Sequence, residues 1–189
     1  MLFTIGHSNH SLDAFLALLA AHSIAAIADV RSQPHSRWLP HFNRERLAES
    51  LAKAGIRYFF LGEALGARRV EESCYIGDRA DYERIASLPV FRHGLDQVRQ
   101  LVADSRVALM CAEKEPLDCH RTILVCRHLR EELPIGHILA DGMREDHAAT
   151  EARLLKKMKI QRGLFDEAAD ALQSAYDQRG LQIAYSRAK

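Results

Sequence analysis

The sequence predicts an α/β fold: one three-layer domain with a mostly parallel five-stranded sheet flanked by helices, in a Rossmann-like arrangement, plus a C-terminal helical tail. Short apolar runs alternate with segments of helical spacing, and turn-forming residues separate them. Such alternation is typical of parallel strands joined by right-handed crossovers. A chain of 189 residues that is 48% hydrophobic can bury one sizeable core. We therefore expect a single domain, with a core at 1–142 and a mostly helical extension at 143–189.

The first third of the chain predicts three strands with two helices between them. The strands are expected at residues 2–5, 24–30 and 56–61. Ser11 and Asn43 are suitable N-cap residues, because their side chains can accept hydrogen bonds from the free N–H groups of a first helical turn. Gly55 is a suitable residue to end the second helix, because glycine readily adopts a left-handed conformation.

The rest of the chain predicts two further strands and several helices. Residues 62–79 have no regular pattern, and helices are expected at 81–88 and 91–103. A fourth strand at 107–110 is followed by a cysteine-containing loop and a helix, and a fifth strand is expected at 135–140. Asp141 and Gly142 are expected to turn the chain out of the sheet. In the tail, residues from Phe165 to Tyr176 have helical spacing.

The composition narrows the possible partners and locations. The formal net charge is +1, which argues against a protein that coats nucleic acid, so any anionic ligand must meet a local patch. The N-terminus lacks the pattern of a signal peptide, and no apolar run approaches the roughly 18 residues of a membrane span. We expect a cytoplasmic protein without a membrane partner, whose four cysteines are not a disulfide framework.

The stretch from Cys111 to Arg121 is the strongest candidate for chemistry. It joins an apolar strand to a predicted helix, and it places Cys119, His120 and Arg121 where that helix begins. A thiol at a helix N-terminus beside positive charge has a lowered pKa and can act as a nucleophile. The alternatives are a buried cysteine that packs the turn and an arginine that forms a structural ion pair.

Polar residues follow the predicted strands elsewhere in the chain as well. Parallel strands end at one edge of a sheet, so residues after different strands can meet there. The expected members of this edge are His7, Ser8, Asp29, Arg31, Gly62, Cys111, Glu113, Cys119, His120, Arg121 and Asp141.

Several separated motifs give the chain a family resemblance. They are Thr4-Ile5-Gly6-His7-Ser8, Asp29-Val30-Arg31 with Pro34 and Ser36, Gly55-Ile56 with Tyr58 and Leu61-Gly62, Met110-Cys111-Ala112-Glu113, Cys119-His120-Arg121, His137-Ile138, Asp141-Gly142 and Ala184-Tyr185. In this order they resemble the family called domain of unknown function 488. The resemblance implies an α/β fold with the motifs around one cleft, and it implies no particular reaction.

Two classes of function remain open. In the first, the protein is an enzyme acting on an anionic substrate, such as a nucleotide or nucleic acid. Its catalytic residues would be Cys119, His120, Glu113 and Asp29, and its substrate-binding residues would be His7, Ser8, Arg31, Arg37, Trp38, Cys111 and Arg121. In the second, a non-catalytic module binds a nucleotide or nucleic acid through the basic, aromatic loop from Arg31 to Arg46. The alternative for this loop is a solvated segment whose Trp38 packs on the domain.

A metal site is a weaker hypothesis from the sequence. Cysteine and histidine suit zinc or iron, and the candidates that could converge are His7, His10, Cys111, Cys119 and His120. The spacing gives this hypothesis little support, because no Cys-x-x-Cys pair occurs. We therefore expect no metal and no cofactor. The sequence does not determine the oligomeric state.

Overall fold

A six-stranded sheet organises the computed structural model, which describes residues 1–160 and 168–188. The strands are β1 (Leu2–Gly6), β2 (Ala26–Asp29), β3 (Arg57–Phe60), β4 (Tyr75–Ile76), β5 (Arg79–Ala80), β6 (Val107–Cys111), β7 (Ile135–Ile138) and β8 (Arg144–Asp146). The order in the sheet is β3-β2-β6-β1-β7-β8, and β4 and β5 form a separate hairpin. Five strands of the sheet are parallel and β8 is antiparallel to β7, so the mostly parallel α/β fold predicted from the sequence is confirmed.

Helices cover both faces of the sheet. They are α1 (Leu12–Ala21), α2 (Arg44–Lys53), α3 (Gly62–Leu65), α4 (Tyr82–Ser87), α5 (Pro89–Asp104), α6 (His147–Lys157) and α7 (Ala168–Ile183). Among the described residues, no helix has both the length and the apolar character needed to cross a membrane. Phe165, which the sequence places on the helical stripe of the tail, lies outside the described residues.

The alternation of side chains along the strands divides the core into two clusters. Leu2 and Leu109 face one side of the sheet, where they pack with residues of α5 and α7. Phe3 and Met110 face the other side, where they pack with residues of α1 and α2. This is the period of two expected for strands that are buried on both faces.

The predicted helix boundaries follow local chemistry. Ser11 caps α1, because its hydroxyl accepts a hydrogen bond from the backbone N–H of Ala14 at 3.2 Å. Gly55 follows α2 with a φ of 74°, as a glycine after a helix should. Asn43 occupies the N-cap position of α2, but its side chain accepts from the backbone N–H of Ser36 instead and so fastens the preceding loop.

Three sequence expectations are wrong. After Asp141 and Gly142 the chain returns to the sheet as β8. Its three residues are all polar, so the sequence lacks the apolar pattern from which a strand is predicted. The segment expected to be irregular contains the β4–β5 hairpin. The helix expected after Cys119 is a π-helix at Arg121–Val125 followed by a 3-10 turn at Cys126–His128. All five residues of the π-helix are buried, and this tertiary packing overrides regular helix geometry.

Candidate active site

The site lies where the connections of two neighbouring strands diverge. After β1 the chain passes to α1 on one face of the sheet, and after β6 it passes to residues 121–125 on the other face. Open α/β sheets form their ligand crevice at such a point, outside the carboxyl ends of the strands. The exit of β1, with His7 and Ser8, therefore lies beside the exit of β6, with Cys111 and Glu113.

A close backbone approach joins these two exits. The backbone N–H groups of His7 and Ser8 donate to the carbonyls of Cys111 and Ala112, both at 2.9 Å. The Glu113 carbonyl then crosses directly over Gly6, where a Cβ atom would overlap the carbonyl oxygen. Only glycine fits at position 6 without displacing the loop that carries Glu113.

Four side chains converge beyond the end of β6. One ligand atom from each of Cys111, Glu113, Cys119 and His120 lies within 4.8 Å of the others, and we call these residues the cysteine cluster. Both thiols donate to the same carboxylate oxygen, Glu113 Oε2, at 2.9 Å from Cys111 and 3.0 Å from Cys119. His120 Nδ1 lies 3.6 Å from the Cys111 sulfur, and His120 Nε2 donates to the carbonyl of Val30 at 2.9 Å.

Burial and charge act differently on the two thiols. Burial, together with the neighbouring Cys119 and Glu113, raises the pKa of Cys111 well above its usual value. Burial also opposes ionisation of Cys119, but a hydrogen bond with Cys111 and the positive charge of Arg121 outweigh burial and lower the pKa of Cys119. Cys119 is therefore the thiol that ionises more readily, and on ionisation it would no longer donate to Glu113. The packing around its carboxylate raises the pKa of Glu113 and the charge of Cys119 raises it further, although the residue is exposed to solvent.

Arg121 is fully buried and does not reach solvent. Its guanidinium donates to the carbonyls of Glu113 at 2.6 Å and Lys114 at 3.3 Å, and to the Thr4 hydroxyl at 3.3 Å. Arg121 was expected to bind a substrate anion, but the protein's own backbone carbonyls already accept its guanidinium hydrogens. Arg121 holds the loop that presents Glu113, which favours the structural alternative for this residue.

A buried chain of hydrogen bonds runs from Arg121 to Glu151. Arg121 donates to the Thr4 hydroxyl, which lies within hydrogen-bonding distance of His137 Nδ1 at 2.8 Å, and His137 Nε2 lies 2.8 Å from His147 Nδ1. His147 Nε2 then donates to the hydroxyl of Tyr176 at 3.0 Å, and Tyr176 donates to Glu151 at 2.8 Å. Burial and nearby positive charge lower the pKa of His137 well below its usual value, consistent with a neutral ring. The sequence did not predict this chain of hydrogen bonds, because its residues are far apart in sequence, on β1, β7, α6 and α7.

Asp29 and His7 hold Arg31. The Arg31 guanidinium pairs with the Asp29 carboxylate at 2.6 Å, and Tyr58 donates to the same carboxylate at 2.7 Å. His7 Nε2 accepts from Arg31 at 3.2 Å, and burial and the charge of Arg31 lower the pKa of His7 to about 4. Asp29 and His7 are buried, so they position Arg31. The Ser8 hydroxyl donates to Asn9.

A cleft of about 280 Å³ opens above the cysteine cluster. Cys111, Glu113 and His120 line it, whereas Cys119 lies outside the lining. The remaining lining residues are Arg31, Ser32, Gln33, His35, Ala67, Arg68, Tyr82, Ala112, Asp118, Ile183 and Tyr185. Sequence reasoning missed Tyr82, whereas Tyr185 belongs to the Ala184-Tyr185 motif of the family resemblance; the fold brings both from distant segments.

Other expected site residues lie elsewhere. Arg37 and Trp38 are exposed and do not line the cleft, and Trp38 is 87% exposed, so it does not pack on the domain. Asp141 borders a different hollow, beside Lys114. Gly62 is buried against the carbonyl of Arg31, where a side chain would not fit.

The fold and the site together define an α/β protein with two thiols, a carboxylate and an imidazole gathered at the carboxyl edge of its sheet. The chain belongs to the family described as Domain of unknown function DUF488, whose model matches residues 11–127. The match includes the cysteine cluster and the Asp29–Arg31 pair, and it ends before His137. Neither the curated proteins nor the solved structures contain a match to this chain.

Proposed function

We propose that the protein is an enzyme that acts on an anionic substrate in the cleft, with the cysteine cluster as its reacting groups. One observation carries the proposal: Cys111, Glu113 and His120 line a cleft whose wall also carries Arg31 and Arg68. The Cys111 sulfur lies within hydrogen-bonding reach of both the Glu113 carboxylate and the His120 imidazole, and these are the groups that acid–base and nucleophilic catalysis require.

The geometry favours Cys111 over Cys119 as the sulfur that faces the substrate. Cys111 lines the cleft, and its proton has an acceptor at 2.9 Å on Glu113. Cys119 lies behind it, and its sulfur accepts from the backbone N–H of Arg121 at 3.4 Å. Cys119 would hold negative charge beside Cys111, and Glu113 would take and return protons.

Arg68 is the arginine best placed to meet an anion. It is exposed, and its guanidinium stacks 4.8 Å from the ring centroid of Tyr185. Arg31 lines the cleft too, but the Asp29 carboxylate already neutralises it. A substrate with a phosphate or carboxylate would therefore bind with its charge at Arg68 and its reacting bond above Cys111.

The first test compares alkylation of chelator-treated protein by iodoacetate, which is anionic, and iodoacetamide, which is neutral. We expect the ratio of the iodoacetate rate to the iodoacetamide rate to be higher for Cys111 than for a small free thiol. Arg68→Ala should remove this preference several-fold and leave the rate with iodoacetamide unchanged. Arg92→Ala, at an exposed position outside the cleft, is the matched control. An iodoacetate preference that is absent, or that survives Arg68→Ala, would contradict the assignment of the anion site.

Turnover is the second test. A panel of phosphate esters, nucleotides and short oligonucleotides is incubated with the wild type and with Cys111→Ser and Glu113→Gln. We expect turnover by the wild type and a loss of at least a hundredfold in both variants. Cys74→Ser, which changes a buried cysteine outside the cluster, should keep the activity. Equal turnover by the wild type and the two cluster variants would reject the cluster as the reacting groups.

A second candidate function is nucleic-acid binding by the loop from Arg31 to Arg46. The specific observation is that Trp38 is 87% exposed next to the exposed Arg37, as a base-stacking residue beside a phosphate contact would be. Trp38 is the only tryptophan in the chain, so its fluorescence reports on this loop alone. Titration with a single-stranded oligonucleotide should quench the fluorescence, and added salt or Arg37→Ala should weaken the effect. Unchanged fluorescence would exclude this loop as the interface.

A further inference from the structure

The donor atoms of the cysteine cluster lie close enough together to share one metal ion. Two sulfurs, a carboxylate oxygen and an imidazole nitrogen approach within 4.8 Å of one another. In a tetrahedral zinc site with bonds of about 2.0–2.3 Å, neighbouring ligand atoms lie roughly 3.3–3.8 Å apart. The 3.6 Å between the Cys111 sulfur and His120 Nδ1 falls in that range. The two thiol-to-Glu113 distances, 2.9 and 3.0 Å, are hydrogen bonds that would open slightly around an ion.

The surroundings of His120 orient its ring as they would for a metal ligand. A carbonyl oxygen can only accept a hydrogen bond, so His120 Nε2, 2.9 Å from the Val30 carbonyl, carries the ring hydrogen. In the neutral ring, which is the form that binds a metal, the lone pair is then on Nδ1, 3.6 Å from the Cys111 sulfur. Histidines that bind metals usually donate their other N–H to a carbonyl or carboxylate in this way, which sets both tautomer and orientation.

The charge around Arg121 is compatible with a bound ion. Arg121 is fully buried and cationic, and within the described part of the chain its guanidinium has carbonyl and hydroxyl partners but no carboxylate. A buried charge needs a nearby opposite charge. A divalent ion with two thiolates and one carboxylate carries a net charge of −1, the same as a single thiolate on Cys119, so a bound ion would keep Arg121 balanced. The N–H of Arg121 already points to the Cys119 sulfur, as in a stabilised thiolate.

We propose that Cys111, Cys119, His120 and Glu113 together bind a zinc ion. Sulfur and imidazole ligands select zinc over magnesium or calcium, which prefer oxygen ligands. Cys111, Glu113 and His120 line the cleft, so the ion would lie at the floor of the cleft, within reach of a bound anion. Zinc binding stands on the donor geometry and does not depend on the proposed enzymatic activity.

The test measures metal binding by the full-length chain without a histidine tag. Protein stripped with a chelator is titrated with zinc in competition with a chromophoric chelator, and the bound metal is counted by mass spectrometry. We expect one zinc ion per chain. Cys111→Ser, Cys119→Ser and His120→Gln should each weaken binding by a hundredfold or more, and Glu113→Gln by at least tenfold. Cys74→Ser should bind like the wild type.

Cobalt provides a measurement on the wild type that does not depend on any variant folding. Cobalt(II) bound by two thiolates gives a sulfur-to-metal charge-transfer band, which zinc should then abolish by displacement. Absence of that band, less than one bound zinc per chain, or equal loss of binding in Cys74→Ser would each overturn the proposal. Zinc binding without any turnover would support this site and contradict the proposed enzyme, whereas turnover by a protein that does not bind zinc would support the enzyme and overturn this site.

Discussion

Replacement of Glu151 by glutamine tests the buried chain of hydrogen bonds that links Arg121 to Glu151. Glu151 accepts hydrogen bonds from Tyr176 and Arg130, both at 2.8 Å, and its carboxylate lies 3.3 Å from His147 Nε2. Burial alone would raise the pKa of Glu151, but the hydrogen bonds from His147 and Arg130 outweigh burial and lower the pKa to about 2. The folded protein therefore holds the ionised form more strongly than the unfolded chain does.

The size and the sign of the effect follow from this shift. Lowering the pKa from 4.5 to about 2 corresponds to about 3 kcal/mol of stability at 1.36 kcal/mol per unit. This is an upper limit, because the side chain is 18% exposed. Stability from Glu151 is fully present above the unfolded value of 4.5 and is lost as the pH falls through about 2. Glu151→Gln should remove this contribution at neutral pH.

The assay is urea unfolding followed by far-ultraviolet circular dichroism at several pH values. We expect the wild type to exceed Glu151→Gln by up to about 3 kcal/mol at neutral pH, and the gap to close as the pH approaches 2. Titrating groups that do not interact with Glu151 are present in both proteins and cancel in the difference. Glu131→Gln is the control, because Glu131 also pairs with Arg130 but is 80% exposed. A gap between the wild type and Glu151→Gln that stays constant with pH would refute the reasoning.

Three further substitutions test individual contacts by chemical unfolding. Gly6→Ala should lower the free energy of unfolding by about 1–3 kcal/mol, because the new Cβ overlaps the Glu113 carbonyl. Gly136→Ala should be nearly neutral, because its closest contact, at 3.1 Å, is the flexible side chain of Arg144. Equal costs would argue against the close approach at Gly6. Asp29→Asn should cost about 3–5 kcal/mol, because it leaves the buried Arg31 without its counter-charge, and a loss below 1 kcal/mol would contradict that role. Ser11→Ala should cost about 1 kcal/mol through the lost cap of α1, and unchanged stability would show that the hydroxyl contributes nothing.

Local patterns were sufficient to predict the parallel sheet. The runs at Val107 and Ile135 are apolar because their strands are buried on both faces, and such runs are visible in sequence without knowledge of the fold. Ser11 and Gly55 act on backbone groups within a few residues, so their roles were also predictable. β8 was not predictable, because its pairing with β7 is made by backbone groups while its polar side chains resemble a loop.

The sequence by itself determined that Cys111, Glu113, Cys119 and His120 lie at the carboxyl edge of the sheet, because parallel strands all end at that edge. Tertiary structure alone decided what these residues do there. Arg121, the first residue of the π-helix Arg121–Val125, is buried and donates a hydrogen bond to the Glu113 carbonyl above Gly6. This contact holds Glu113 where both thiols reach its carboxylate. Spacing along the chain cannot reveal this cluster, because the distance between side chains depends on the path of the loop, and contacts from remote strands and helices hold that path.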